Sequence, residues 1–151
     1  MSVKIAIGSD TKNHVTDTVI EYLTNKGFKV DLYGALNIKA DKMASMWSRV
    51  AMEVAKKVSD SSYQQAILFC FTGTGVTIAA NKIKGIRAAL CNDAATAKGA
   101  KRWNDANILT MSLRLVSEDL AKEILDAWLS NSFSDDEEDI ICLNYLKEIE
   151  L

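Results

Sequence analysis

Short apolar runs alternate along the chain with longer segments whose apolar residues recur at helical spacing. Five runs are typical of β-strands, namely Val3–Ile7, Lys29–Tyr33, Ala66–Phe71, Ile86–Cys91 and Ile108–Met111. Five segments predict helices, namely Val15–Lys26, Met43–Val58, Val76–Lys82, Asp93–Trp103 and Ser117–Leu129. The final two segments begin at the expected N-caps, Asp93 and Ser117. A tail from Asp135 to Leu146 begins with acidic residues and continues with an apolar helical face.

This alternation predicts an α/β fold. We expect a three-layer, doubly wound, Rossmann-like, five-stranded parallel sheet with a C-terminal helical tail, as one domain spanning residues 1–151. Ligands of such sheets bind beyond the carboxyl ends of the strands. Three polar turns are therefore candidate site segments, namely Gly8–Thr11, Thr72–Gly75 and Asn92–Asp93. Asn104–Asn107 precedes a strand, so it lies at the opposite edge and can reach such a site only across a subunit interface.

Composition narrows the function classes. The 151 residues are 25% charged, with a net charge of −2 and no basic block, which argues against nucleic acid or an anionic membrane as partner. No apolar run approaches the roughly 20 residues of a transmembrane helix, and no signal peptide is recognisable. Three cysteines without C-x-x-C spacing favour a reducing compartment, which we take to be the cytoplasm. A single histidine, His14, does not suffice for a typical zinc site.

The segment Cys70–Val76 lies where an apolar strand gives way to a helix. Its two glycines permit a tight turn, and unpaired amides at a helix start bind anions. A dinucleotide fingerprint is excluded because position 78 is Ile78, and no Gly-Lys-Ser/Thr of a P-loop follows. Thiolates are favoured near helix N-termini, so Cys70, at the mouth of the turn, is a candidate base or nucleophile. The alternative is that Cys70 is a small core residue ending a strand.

The remaining candidates each have a structural and a functional interpretation. Asp10 follows the first strand, where it either caps a turn or orients a sugar hydroxyl. His14 is expected at a surface or capping position, and the acidic residues from Asp135 at a solvated helix start. Four further residues are expected to pack in the interior, namely Cys91, Cys142, Trp103 and Trp128.

Ile67–Lys82, followed by Gly85–Ala89, closely resembles the signature of the type B ribose-5-phosphate isomerase family. That family includes the A- and B-type subunits of the lactose-pathway galactose-6-phosphate isomerase. The resemblance covers nearly the whole chain, and further matching segments are Ile5–Asp10, Asn104–Asn107, Arg114 and Asp126–Leu129.

The resemblance implies an intramolecular oxidoreductase that interconverts aldoses and ketoses, or their phosphates, through an enediolate without metal or organic cofactor. It assigns Cys70 as the base, Thr72 to ring opening or proton transfer, and Asp10 to a sugar hydroxyl. Substrate-binding residues would be the backbone amides of the oxyanion loop, Phe71, Gly73, Thr74 and Gly75, together with Asn104 and Arg114. Asn104 and Arg114 would reach the substrate across a dimer interface, Arg114 near its phosphate.

Several positions depart from the family pattern. Thr11 and Trp103 stand where the family has histidines, and Phe71 stands where it has glycine. The segment that carries phosphate-binding arginines in the family falls on Asp135–Ile141, whose carboxylates would repel a phosphate.

These departures leave alternatives open. The chain is then either an isomerase, a catalytically impaired sugar-binding or regulatory homologue, or a B-type subunit that needs an A-type partner. Alternatively, a displaced His14 replaces one missing histidine. In each case we expect a homodimer or a heteromer, with Ile140, Ile141 and Tyr145 of the tail covering a partner.

Overall fold

A computed structural model describes residues 2–150. Its strands are β1 (Lys4–Ser9), β2 (Lys29–Gly34), β3 (Ala66–Cys70), β4 (Ala88–Leu90) and β5 (Ile108–Ser112). Its helices are α1 (His14–Asn25), α2 (Trp47–Ser59), α3 (Thr74–Asn81), α4 (Ala94–Asn104), α5 (Glu118–Leu129) and α6 (Glu137–Ile149). All strand pairs are parallel, in the order β2-β1-β3-β5-β4. The predicted doubly wound, five-stranded sheet with a helical tail is confirmed.

Side chains alternate between the two sheet faces and build two separate cores. On one face, Ile7, Phe69 and Leu109 pack with residues of α1, α4 and α5, including Trp128. On the other face, Ala6 and Leu68 pack with residues of α2 and α3. Helices on both faces cover β3 completely, which explains why its five residues are all buried.

Most predicted helix ends agree with the structure because local capping determines them. The Asp93 carboxylate accepts a hydrogen bond from the Thr96 amide at 2.6 Å, and the Ser117 hydroxyl accepts one from the Leu120 amide at 3.1 Å. The start of α2 differs from the prediction. It begins at Trp47 rather than Met43, because turns held by Asp41 occupy the preceding residues.

The strand ends also shift. The first strand continues through Gly8 to Ser9, because both residues pair with β2 and β3. The third strand ends at Cys70, which places Phe71 outside the sheet. The fourth strand, expected over Ile86–Cys91, is only Ala88–Leu90, since it lies at the sheet edge and pairs with β5 alone.

Two of the four expected interior residues are exposed. Cys91 and Trp128 are buried as predicted, and the Trp128 indole N–H donates to the Gln65 side chain at 2.8 Å. Cys142 is exposed, because α6 lies on the surface and none of its residues is buried. Trp103 is 59% exposed, because it lies in the last turn of α4 and its ring covers Gly99 of its own helix.

Candidate functional site

Register places the ends of β1 and β3 side by side. Ser9, the last residue of β1, pairs with Phe69, so Asp10 leaves β1 next to Cys70, the last residue of β3. In the sheet, β2 lies on one side of β1 and β3 lies on the other, so the direction in which strands are added reverses after β2. The crevice between β1 and β3 is therefore the switch point at which doubly wound sheets bind ligands.

Cys70 is the last residue of β3, on the sheet face covered by α2 and α3. It is a free thiol, and only 5% of its surface is exposed. The expected position at the strand end is observed, but Cys70 is buried in the core of that sheet face rather than open at the mouth of the turn. Burial removes bulk water from the sulfur, and a reacting carbon has to enter the crevice to reach it.

The turn after Cys70 presents unpaired backbone amides. Among residues 2–150, no amide from Phe71 to Val76 donates to a protein acceptor, and Gly73 caps α3 without a side-chain hydrogen bond. These amides belong to the turn and the first helical turn, where the N–H groups and the helix dipole favour negative charge. The arrangement suits an anionic oxygen.

Neighbouring elements hold this turn in place. The Ser112 hydroxyl and the Arg114 amide both donate to the Phe71 carbonyl, at 3.1 and 2.9 Å. The Thr77 hydroxyl donates to the Gly73 carbonyl at 2.6 Å and also hydrogen-bonds the Thr110 hydroxyl of β5. Preorganised amides are what a developing oxyanion requires, because the protein then has little to rearrange during the reaction.

The side chains of the turn face outward. Phe71 is 64% exposed, and the Thr72 and Thr74 hydroxyls lie 2.8 Å apart at the surface. The predicted oxyanion loop thus offers backbone amides that have no protein acceptor and an exposed Thr72 hydroxyl.

Asp10 is partly buried at the crevice. Its Oδ1 is fully covered and has no hydrogen-bond partner among the described residues. Burial raises the pKa of the Asp10 carboxyl, because desolvation disfavours its charged form. A buried acceptor without a donor is costly, and a donor that reached this oxygen would relieve that cost.

Of three cations that could meet a phosphate, two are already paired. Lys12 lies 2.7 Å from Asp17, and Arg87 lies 3.2 Å from Asp105. Arg114 is exposed, follows β5 beside the turn, and its side chain has no hydrogen bond or ion pair within residues 2–150. Of these three cations, Arg114 is therefore the one whose charge is free to meet an anionic ligand.

Asn104 does not join the other predicted site residues within the chain. It ends α4, which runs back along the sheet, so it lies at the opposite edge in a groove of about 680 Å³ between β4 and α6. The acidic segment lies beside it, since the Ser134 amide donates to the Arg102 carbonyl at 2.8 Å. As expected, Asn104 can meet a crevice of this kind only in another subunit.

His14 is exposed at the start of α1, and its Nδ1 lies 3.1 Å from Glu118 at the start of α5. The expected surface position is therefore observed, and the ring is engaged with this carboxylate rather than with the turn at Cys70.

Trp47 also lies in this region, although the sequence pattern did not predict it as a site residue. Its ring lies against Gly75, where an added Cβ would be 2.9 Å from ring atom Cε3. Trp47 precedes Val50 and Ala51 by one helical turn, so it shares their face of α2. That spacing was the available signal, but a helix start wrongly placed at Met43 concealed its position at the sheet edge.

No group of three or more metal-ligating side chains occurs within residues 2–150. Over the same residues, every helix is too short or too polar to cross a bilayer.

A family model described as Ribose/Galactose Isomerase matches residues 5–142. The chain belongs to the ribose/galactose isomerase family. It is 36% identical over 132 residues to a D-erythrulose-4-phosphate isomerase of Pectobacterium atrosepticum, covering 87% of this chain and 85% of that relative. It is 37% identical over 133 residues to a ribose-5-P isomerase B of Listeria innocua, covering 87% of each.

A solved structure supports the same family assignment. Ribose-5-phosphate isomerase B of Clostridium thermocellum superposes with a TM-score of 0.88 at 32% identity, over 98% of this chain and 97% of that one. The family expected from Ile67–Lys82 and the assignment as an isomerase are confirmed.

Proposed function

We propose that this chain interconverts aldose and ketose phosphates through an enediolate, with Cys70 as the base. The observation that supports this most directly is the juxtaposition at the switch point. A buried thiol lies next to Asp10 on one side and precedes a turn of unpaired amides on the other. Family membership supports the reaction class, and Asp10, Cys70 and the amides supply the parts that it needs.

The reaction is a proton transfer between two carbons. The Cys70 thiolate removes the proton from C2 of the open-chain aldose, and the C–H electrons form the C1–C2 double bond while O1 becomes anionic. Amides of Phe71, Gly73, Thr74 and Gly75 stabilise this enediolate oxygen. The O2 proton moves to O1, Cys70 returns its proton to C1, and the ketose results with all atoms conserved.

The neighbouring side chains hold the substrate. Asp10 Oδ1 accepts a hydrogen bond from a sugar hydroxyl, which supplies the donor that this buried oxygen lacks. The Thr72 hydroxyl lies at the surface beside Thr74, where it assists ring opening. Arg114 meets the phosphate, because the other cations considered are paired with carboxylates.

We further propose that the functional unit is a cytoplasmic dimer of single-domain chains. Asn104 of a second subunit completes the site, since within one chain it lies at the opposite sheet edge. The acidic segment 135–139 accompanies Asn104 and brings negative charge to that interface.

That negative charge favours a second candidate. In a heteromer, a related subunit with a basic segment would supply the phosphate contact, and this chain would supply the Cys70 crevice. A chain that binds sugar phosphates but turns none over alone would support this candidate over the homodimer.

The decisive experiment follows solvent deuterium into the substrate by NMR. Ribose 5-phosphate, erythrulose 4-phosphate and galactose 6-phosphate are incubated separately with the purified chain in D2O. We expect exchange at C1 or C2 of at least one of them. Cys70→Ser should reduce it by about 10²–10⁴-fold, the usual contribution of a positioned base.

Cys142→Ser is the matched control, because Cys142 is a free thiol exposed on α6, whereas Cys70 is buried at the end of β3. It should exchange like the unmodified chain. Undiminished exchange in Cys70→Ser would remove Cys70 from the mechanism.

A further inference from the structure

Trp47 occupies the edge of the crevice without belonging to the core. The core face of α2 consists of five buried residues, Val50, Ala51, Val54, Ala55 and Val58. Trp47 lies one turn earlier, where the helix extends past the ends of the strands. It remains 46% exposed, whereas Trp128 in the opposite core is 1% exposed. Half of a large apolar ring is thus left in water at the ligand-binding edge.

The covered part of the ring rests on the first turn of α3. An added Cβ on Gly75 would lie 2.9 and 3.0 Å from ring atoms Cε3 and Cδ2, closer than packed carbons approach. Glycine at this position therefore allows the indole to lie directly against the helix start. The Gly75 amide is one of those that have no protein acceptor. An aromatic surface and an anion-binding turn are consequently adjacent.

We propose that Trp47 is a substrate-binding residue whose indole stacks on the C–H face of the sugar held over the first turn of α3. This inference rests on the proposed function and specifies how that site recognises its substrate. The face of an aromatic ring is electron-rich and attracts the weakly positive hydrogens of a sugar's C–H bonds.

Kinetics separate substrate contact from a structural role. Trp47→Leu should raise KM for the substrate identified by deuterium exchange about tenfold, the loss typical of truncating an aromatic contact. Its kcat should stay within about twofold, because stacking holds substrate and enediolate alike. Trp47→Phe keeps an aromatic face, so its KM should lie close to that of the unmodified chain. Met46→Ala is the matched control, since Met46 is adjacent and equally exposed at 46%, and its KM should be unchanged.

Fluorescence gives a readout that does not depend on turnover. In a background that carries Cys70→Ser and Trp103→Phe, the latter removing the exposed indole next to Asn104, a sugar phosphate that raises Tm should also change tryptophan emission, and Trp47→Phe should abolish that change. Inorganic phosphate alone should leave the emission unaltered, because it has no C–H face.

Three outcomes would overturn the inference. The first is that a sugar phosphate raises Tm and changes the tryptophan emission equally with and without the Trp47→Phe substitution. The second is a kcat and Tm loss in Trp47→Leu without a KM change, which would assign Trp47 to packing while leaving Cys70 chemistry intact. The third is that none of the three sugar phosphates raises Tm or exchanges deuterium, which would refute the proposed function as well.

Discussion

Replacing Gly73 by alanine tests whether the turn at Cys70 has the geometry described. Gly73 has φ +77°, in the left-handed region that residues with a Cβ avoid. A Cβ there would also lie 2.6 Å from Leu90 Cδ1 and 3.0 Å from the carbonyl carbon of Met111. The leucine methyl can rotate away, but the Met111 backbone belongs to a central strand and cannot.

The two effects have separate magnitudes. Left-handed backbone costs a residue with a Cβ about 1–2 kcal/mol. Overpacking against a rigid neighbour adds about 1–3 kcal/mol. Gly73→Ala should therefore destabilise the fold by about 2–5 kcal/mol, which for a chain of this length lowers Tm by roughly 4–20 °C.

Comparison with Gly27→Ala isolates the steric part of the Gly73→Ala effect. Gly27 has φ +93°, but nothing lies within 4 Å of its added Cβ, so only the backbone cost of about 1–2 kcal/mol applies. Thermal unfolding of the two variants by circular dichroism measures the difference. Deuterium exchange should fall in Gly73→Ala alone, because only that turn carries the amides. A Tm for Gly73→Ala no lower than that of Gly27→Ala would refute the close packing on Met111.

Two further predictions concern burial of titratable groups. Burial raises the pKa of Asp10, so the folded state binds its proton more tightly and loses stability as pH rises through the interval between the unfolded and folded pKa values. Asp10→Asn should thus raise Tm at pH 7 and give no gain near pH 3; an equal gain at both would contradict this. Burial also raises the pKa of Cys91 to about 12, so iodoacetamide at pH 8 should modify exposed Cys142 and spare Cys91 until denaturation. Equal labelling of Cys91 and Cys142 in the native state, measured by mass spectrometry, would contradict this.

Much of the site was accessible from sequence because its determinants are local. A strand that ends at Cys70 and a Gly-rich turn into a helix place a thiol beside unpaired amides wherever the sheet is parallel. The same reasoning placed Asn104 at the opposite edge, since it precedes a strand. Local sequence patterns could not predict that Phe71 and Trp103 are exposed, because exposure depends on which elements pack over a side chain.

Trp47 illustrates the limit most clearly. Its spacing from Val50 and Ala51 is that of a core residue, and only the length by which α2 extends past the sheet leaves it at the crevice. Its contact with Gly75 joins residues 28 positions apart, which no local pattern encodes.

The resemblance of Ile67–Lys82 to a known signature indicated the family. By itself, the order of apolar runs and helical periods determined the class of fold and the sheet edge that carries the site. Those properties follow from periodicity, strand direction and turn chemistry, which act over a few residues. The tertiary structure decided the strand order that sets Asp10 beside Cys70, the burial of that thiol, the pairing of Lys12 and Arg87 away from the crevice, and the indole at its rim. These depend on contacts between segments distant in the chain, and packing of the whole domain selects them.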